Sequence, residues 1–275
     1  MYARHDEMRI LRIVLAVLVA LAVGSGLAFG RPMTALVVLG ATALIVTLQI
    51  LSHISIQRSF ERERAQNRAL LHLHALLPLR SPLPPLTGWA ATPELAVQII
   101  EEALARRPEV VVEAGSGAST LVTGYCLEKL GAGRVVSLDH DAEYAAHTQR
   151  SVGRHALDAW CTVQHAPLTQ YTLGGGTWKW YDISKLPAEL RIDMLSIDGP
   201  PGRLQRLSRY PALPLLASRL NDGAIIVLDD AARPDERALV ARWQSEFPGL
   251  EHRFIPTQKG ISVLRWRAPA AAQAG

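Results

Sequence analysis

Residues 110–120 read VVVEAGSGAST. The three valines form a run short and apolar enough for a strand buried on both faces. Glu113 ends that run, Gly115 and Gly117 follow, and Ser119 and Thr120 stand where a helix can begin. Glycines let the chain turn tightly and bring a ligand against bare backbone. The free N–H groups of the helix that follows give such a ligand polar partners. The stretch therefore predicts a strand, a nucleotide-cofactor turn and a helix. A tight loop with no ligand has the same composition, so the neighbouring elements must decide.

They arrive in a regular order. Residues 120–130 carry apolar positions at helical spacing and end at Gly131 and Gly133. Arg134 to Leu138 reads as a second strand, finishing in Asp139, with Asp141 just before a helix that starts near Ala142. Either acid can cap that helix. Our reading gives the cap to Asp141 and leaves Asp139 to accept from the two hydroxyls of a ribose. A third short strand surrounds Val163 and leads into His165-Ala166-Pro167. The fourth runs Ile192 to Ile197 and ends in Asp198-Gly199-Pro200-Pro201-Gly202, and the fifth runs Ala224 to Leu228 and ends in Asp229-Asp230. Glu251 to Pro256 and Gly260 to Trp266 close the series as two paired strands. Strands alternating with helices imply an α/β, doubly wound, Rossmann-like sheet, mostly parallel with an antiparallel last strand. Ligands bind at the carboxyl ends of such strands, where every acid named so far sits.

The glycine spacing discriminates between cofactors. A dinucleotide fingerprint, G-x-G-x-x-G/A, needs a third small residue for close helix–strand packing, and here that position is Thr120. The pattern acid, any residue, Gly, any residue, Gly, then a small residue is matched by Glu113, Gly115, Gly117 and Ser119. From about Pro93 to Trp266 the chain resembles the class I S-adenosylmethionine-dependent methyltransferases. Within them it is similar to the catechol O-methyltransferase-like branch and to bacterial relatives with a DGPPG turn. The resemblance implies a cofactor site at Glu113, Gly115, Ser116, Gly117, Ser119 and Asp139. Such enzymes often place an acid or serine near the adenine where this chain has Ala166, so a contact there would come from backbone or from His165.

In the catechol-type enzymes an acid after the fourth strand and an acidic pair after the fifth hold magnesium. The resemblance thus implies Mg2+ on Asp198, Asp229 and Asp230, a donor set suited to a hard ion. Such an ion would lower the pKa of a substrate hydroxyl. The other reading makes Asp198 a turn cap and the pair solvated loop acids. Those enzymes also carry a catalytic lysine three residues after the first metal acid, and here that residue is Pro201. This leaves Asp198, His140 and His165 as candidate bases, with Asp198 carried forward as the catalytic residue. Trp178 to Asp182 is either a substrate wall or a packed hairpin. Arg203, Arg206 and Arg209 are either contacts for an anionic substrate or solvated charges.

The amino-terminal part is of another kind. Residues 13–30 and 33–51 are free of charge over 18 and 19 residues, each enough to span about 27 Å of a bilayer's ~30 Å hydrocarbon core as a helix. Arg31-Pro32 separates them. The expectation is a membrane anchor over residues 1–56, two transmembrane helices joined by a short loop. A cleaved signal peptide is the competing reading of the first segment. Arg4, Arg9 and Arg12 precede the pair and Arg58, Arg62, Arg64 and Arg68 follow it. That puts both termini on the cytoplasmic side of a multi-pass inner-membrane protein. Residues 57–85 read as a helical stem and proline-rich linker, 86–267 as the catalytic domain and 268–275 as a disordered tail.

Residues 71–275 carry 21 basic and 21 acidic side chains, so the net charge of +4 belongs to the membrane-proximal part. The high pI is therefore no argument for nucleic-acid binding, which would want a basic face on the domain. The two cysteines, Cys126 and Cys161, match no zinc or redox spacing and fit a reducing compartment. The expected function is O-methylation of a membrane-associated or small hydroxylated acceptor: a lipid, quinone, glycan intermediate, small molecule or membrane protein. The alternatives are an NAD(P)- or nucleotide-sugar-binding enzyme on the same sheet, and a non-catalytic membrane-tethered scaffold.

Overall fold

The computed structural model describes Val17, Ala20 and residues 31–86 and 91–268. The chain divides into two units, Met1–Glu63 and Arg64–Gly275. The first transmembrane segment expected from the sequence lies outside the described residues except for Val17 and Ala20, as does nearly all of the tail. A single helix, α1 (Arg31–Leu76), takes in the second apolar segment and most of the expected stem. The division near residue 56 is therefore not a break in secondary structure. No proline or glycine occurs between Ala41 and Leu77 to interrupt the helix. It is long and apolar enough to cross a membrane, and Leu36, Leu39 and Leu51 on it are exposed.

In the second unit, Leu73 and Leu77 are fully buried in an apolar cluster with α2 (Pro93–Arg106), β1 (Val110–Ala114) and α3 (Ala118–Leu130). The proline-rich segment that follows is tied down by Arg80. Its backbone N–H donates to the Tyr125 hydroxyl (2.9 Å), and its guanidinium meets Glu128 (2.7 Å) and the carbonyl of His155. As expected for a cap residue followed by proline, Thr92 Oγ1 accepts from the N–H of Leu95 at the head of α2.

The remaining elements are β2 (Arg134–Asp139), α4 (Ala142–Arg154), β3 (Cys161–His165), β4 (Leu168–Leu173), β5 (Gly176–Tyr181) and β6 (Ile192–Ile197). They continue with α5 (Ala212–Leu216), β7 (Leu220–Leu228), α6 (Pro234–Glu246), β8 (Glu251–Ile255) and β9 (Ile261–Arg265). Seven strands form one sheet in the order β3-β2-β1-β6-β7-β9-β8. All are parallel except β9, which runs antiparallel to both neighbours. Chain order reverses between β1 and β6, so a crevice opens beyond their carboxyl ends. Alternate valines of β1 feed the two faces: Val111 joins the α2–α3 cluster, and Val112 joins a cluster holding Trp180, Trp243 and α5. The Trp178 region is a packed hairpin, β4 paired with β5, that buries Trp180 and Tyr181.

Gly133, entering β2, has φ +91°, and an added Cβ would stand 2.5 Å from the Pro108 carbonyl oxygen. Gly131 also has positive φ but open space around it. Gly133→Ala should cost about 2–4 kcal/mol in denaturant unfolding, against about 1 kcal/mol for Gly131→Ala. Equal losses would show that the steric contact contributes nothing.

Candidate functional site

Glu113, the last acid of β1, is fully buried. The strand register sets it beside Ser137 of β2 and Ser196 of β6. Its Oε2 accepts from the hydroxyls of Ser137 and Thr120, and Thr120 Oγ1 in turn accepts from the N–H of Gly117 at 3.0 Å. Its Oε1 has no hydrogen-bond partner. Burial raises the Glu113 carboxyl above its ordinary pKa of 4.5, against hydroxyl hydrogen bonds that pull it back. Glu113 thus braces the glycine turn from beneath rather than facing the cleft.

Gly115 takes φ +103°, and a Cβ there would lie 3.4 Å from Gly199 N in the loop after β6. The turn lies in contact with that loop, and the positive φ, rather than lack of space, is what calls for glycine. Gly117 lies under the Tyr144 hydroxyl. Ser116 donates from N–H (3.1 Å) and hydroxyl (2.7 Å) to Asp139 Oδ2, while Asp139 Oδ1 accepts from the N–H of Asp141 at 3.1 Å. These contacts use three of the carboxylate's roughly four acceptor positions. A ribose gripping Asp139 with both hydroxyls would turn the Ser116 hydroxyl aside. Asp141 caps α4, accepting from the N–H of Tyr144 at 2.9 Å.

A cleft of about 440 Å³ opens over this turn, lined by Gly115, Ser116, Ser119 and Asp139 and, across from them, by Asp198, Gly199, Pro201 and Gly202. Its size suits a small-molecule cofactor site. Glu113, Gly117 and Ala166 are not in its lining. Ala166 is fully buried, its N–H bonded to the Asp139 carbonyl at 2.7 Å. His140 lines the cleft with its Nδ1 unpartnered, 3.7 Å from Asp139 Oδ1. His165 is exposed at the end of β3 and outside the lining.

Tyr181, from the stretch read as a substrate wall or a packed hairpin, lines the cleft, and so does Tyr144, which nothing in the sequence pattern marked for it. Tyr181 arrives from the β4–β5 hairpin, and its hydroxyl lies where a Gly199 side chain would be. Burial, and then Asp139, push its phenol well above the usual range, so it stays neutral.

Asp198, Asp229 and Asp230 come together, with carboxylate oxygens within 4.8 Å of one another. Burial, and then the nearby Asp229, push Asp198 well above the usual carboxylate range, with Arg209 opposing. Arg209 Nη2 lies 2.8 Å from Asp230 Oδ2 and 3.4 Å from Asp198 Oδ1. Of the three arginines after the DGPPG turn, Arg203 and Arg209 both line the cleft, and Arg209 is buried among acids. Arg206 is exposed, 3.9 Å from Asp235. The series is therefore not one anion-binding surface.

Residues 112–231 match the family model described as a methyltransferase domain. No curated protein matches. Among solved structures, the chain is similar to the SAH-bound methyltransferase PaMTH1 of Podospora anserina at 15% identity, covering 78% of this chain and 96% of that one with a TM-score of 0.54. It is also similar to the O-methyltransferase TomG of Streptomyces achromogenes, involved in tomaymycin synthesis and in complex with SAM. There the identity is 16%, the coverage 76% of this chain and 99% of that one, and the TM-score 0.52. At such identities these likenesses speak to the fold.

Because the raised Glu113 holds its proton better folded than unfolded, its contribution to stability is full below pH 4.5 and declines as pH rises through its folded value. Glu113→Gln cannot titrate, so its stability relative to wild type should climb from acid to neutral pH in denaturant titrations. Parallel curves would contradict this. Glu113→Ala, which strands two buried hydroxyls, should lose about 2–4 kcal/mol throughout.

The chain thus carries a match to a methyltransferase domain over residues 112–231, on a fold it shares with SAH- and SAM-bound methyltransferases.

Proposed function

We propose that this enzyme methylates an oxygen of a hydroxylated, membrane-associated acceptor. The observation that carries the reading is the convergence of the glycine turn, Asp139 and the Asp198–Gly202 loop on one cleft. The residues fit the cofactor: Gly115 brings bare backbone to the cleft lining, and Asp139 presents a carboxylate beside it. When bound, S-adenosylmethionine supplies an activated methyl group, so the chain's task is chiefly placement. In this reading Ser116, Ser119 and Asp139 hold the cofactor, and Tyr181 and Pro201 wall the acceptor space. Asp198, its affinity for a proton heightened by burial, takes the acceptor's proton. The O-methyltransferase TomG, which shares the fold, supports oxygen as the target.

Membrane attachment rests on the apolar part of α1, with the charged residues flanking it favouring a cytoplasmic domain. Anchoring favours lipids, quinones, lipid-linked glycan intermediates and membrane proteins over freely diffusing acceptors. Incubating membrane extracts with methyl-labelled cofactor, then resolving lipid, glycan and protein fractions, identifies the acceptor class.

Calorimetry should show S-adenosylhomocysteine binding and no NAD binding. Asp139→Ala should weaken the former roughly 10- to 100-fold, as expected for a lost hydrogen bond to a charged group. Binding of NAD instead would sink the assignment. In fractionation, the full chain should stay with membranes through high-salt and carbonate washes and be released by detergent. Release by salt alone would reduce the anchor to a surface contact.

A further inference from the structure

The acids that would hold a metal in this cleft already have a cation among them. Asp198, Asp229 and Asp230 are the residues that could hold a divalent ion here, and Asp198 Oδ1 and Asp230 Oδ2 both face Arg209 Nη2, at 3.4 and 2.8 Å. A hard ion sits about 2.0–2.6 Å from its oxygen ligands, so an ion on these two atoms would compete with that nitrogen for them. The guanidinium is not a passing visitor. Its side chain is 3% exposed, and it also donates to the backbone carbonyls of Asp229 (2.8 Å) and Asp198 (3.0 Å).

Two further cations complete the network: Arg233 Nη1 lies 2.8 Å from Asp230 Oδ2, and Lys259 Nζ lies 3.9 Å from Asp229 Oδ2. Glu236, 4.0 Å from both Arg209 and Arg233, adds a fourth acid. One observation favours a metal: neither Asp229 side-chain oxygen has a hydrogen-bond partner. Lys259 already supplies that carboxylate with a counter-charge, and a single free carboxylate is too few ligands for a hard divalent ion.

We propose that the Arg209 guanidinium is the resident cation of the Asp198–Asp229–Asp230 cluster, standing in place of a divalent metal. It pins the loop after β6 to the loop after β7, so Arg209 is a positioning residue for both walls of the cleft. Methyl transfer here then runs without a metal ion. That last step rests on the methyltransferase reading, whereas the occupancy of the cluster does not.

The test is a Mn2+ titration of the full-length protein in detergent, followed by the paramagnetic resonance of free Mn2+, with S-adenosylhomocysteine affinity measured alongside in chelator and in Mg2+. The expected result is no stoichiometric Mn2+ site at submillimolar ion and the same cofactor affinity in both buffers. One Mn2+ per chain, lost in Asp229→Asn, would overturn the proposal. Arg209→Met removes the cation shared by Asp198 and Asp230, leaving Arg233 and Lys259 at the edges of the cluster, and should gain a Mn2+ site that wild type lacks. A folded Arg209→Met that binds none would refute the guanidinium's role, and if that variant does not fold, the wild-type titration decides alone. Loss of S-adenosylhomocysteine binding in every buffer would count against the methyltransferase reading while leaving the Mn2+ result to stand.

Discussion

A buried carboxylate holding two hydroxyls at the end of the central strand is the constraint on which the site depends. Glu113 can sit there only because Ser137 and Thr120 donate to it. An uncompensated carboxyl in that position would cost several kcal/mol. The same Thr120 oxygen receives the N–H of Gly117, so the bond network that stabilises the acid also fixes the start of α3. The glycine turn is therefore preorganised by the sheet beneath it. Gly115 lines the cleft and sits next to the loop after β6.

From this follows the division of labour at the sheet's edge. β1 and β2 supply the turn and Asp139, and β6 and β7 supply the second wall with its acids. The two walls are held differently. The first is fixed by neutral and singly charged hydrogen bonds around Glu113 and Asp139. The second is fixed by a buried ion network centred on Arg209, whose own affinity for its proton is raised by the surrounding acids despite burial. Buried charges of this kind demand near-complete pairing, which explains why four acids and three bases crowd into one small region.

Much of this was legible in the sequence because it is local. The valine run, the glycine turn, acids at strand ends, the Thr92-Pro93 helix start and the Asp141 cap are all set by neighbours within a few residues, and each stands where the sequence put it. The reading of Glu113 as a cofactor neighbour missed its partner Ser137, 24 residues away, which only strand register supplies. Arg209 looked like one of three similar arginines, because nothing local separates a buried guanidinium from a solvated one. Tyr181 entered the cleft by way of a hairpin whose packing against the sheet no periodicity announces. The backbone does not mark a boundary between anchor and stem, because charged residues on a helix change its surroundings and not its backbone.

The central claim, that the turn braced by Glu113 cradles an adenosyl cofactor, is tested most directly by a crystal structure of the S-adenosylhomocysteine complex. The ribose hydroxyls should lie within hydrogen-bond distance of the Asp139 carboxylate, with the ligand against Gly115. A ligand bound away from Asp139, or a cleft left empty at saturating concentration, would contradict it.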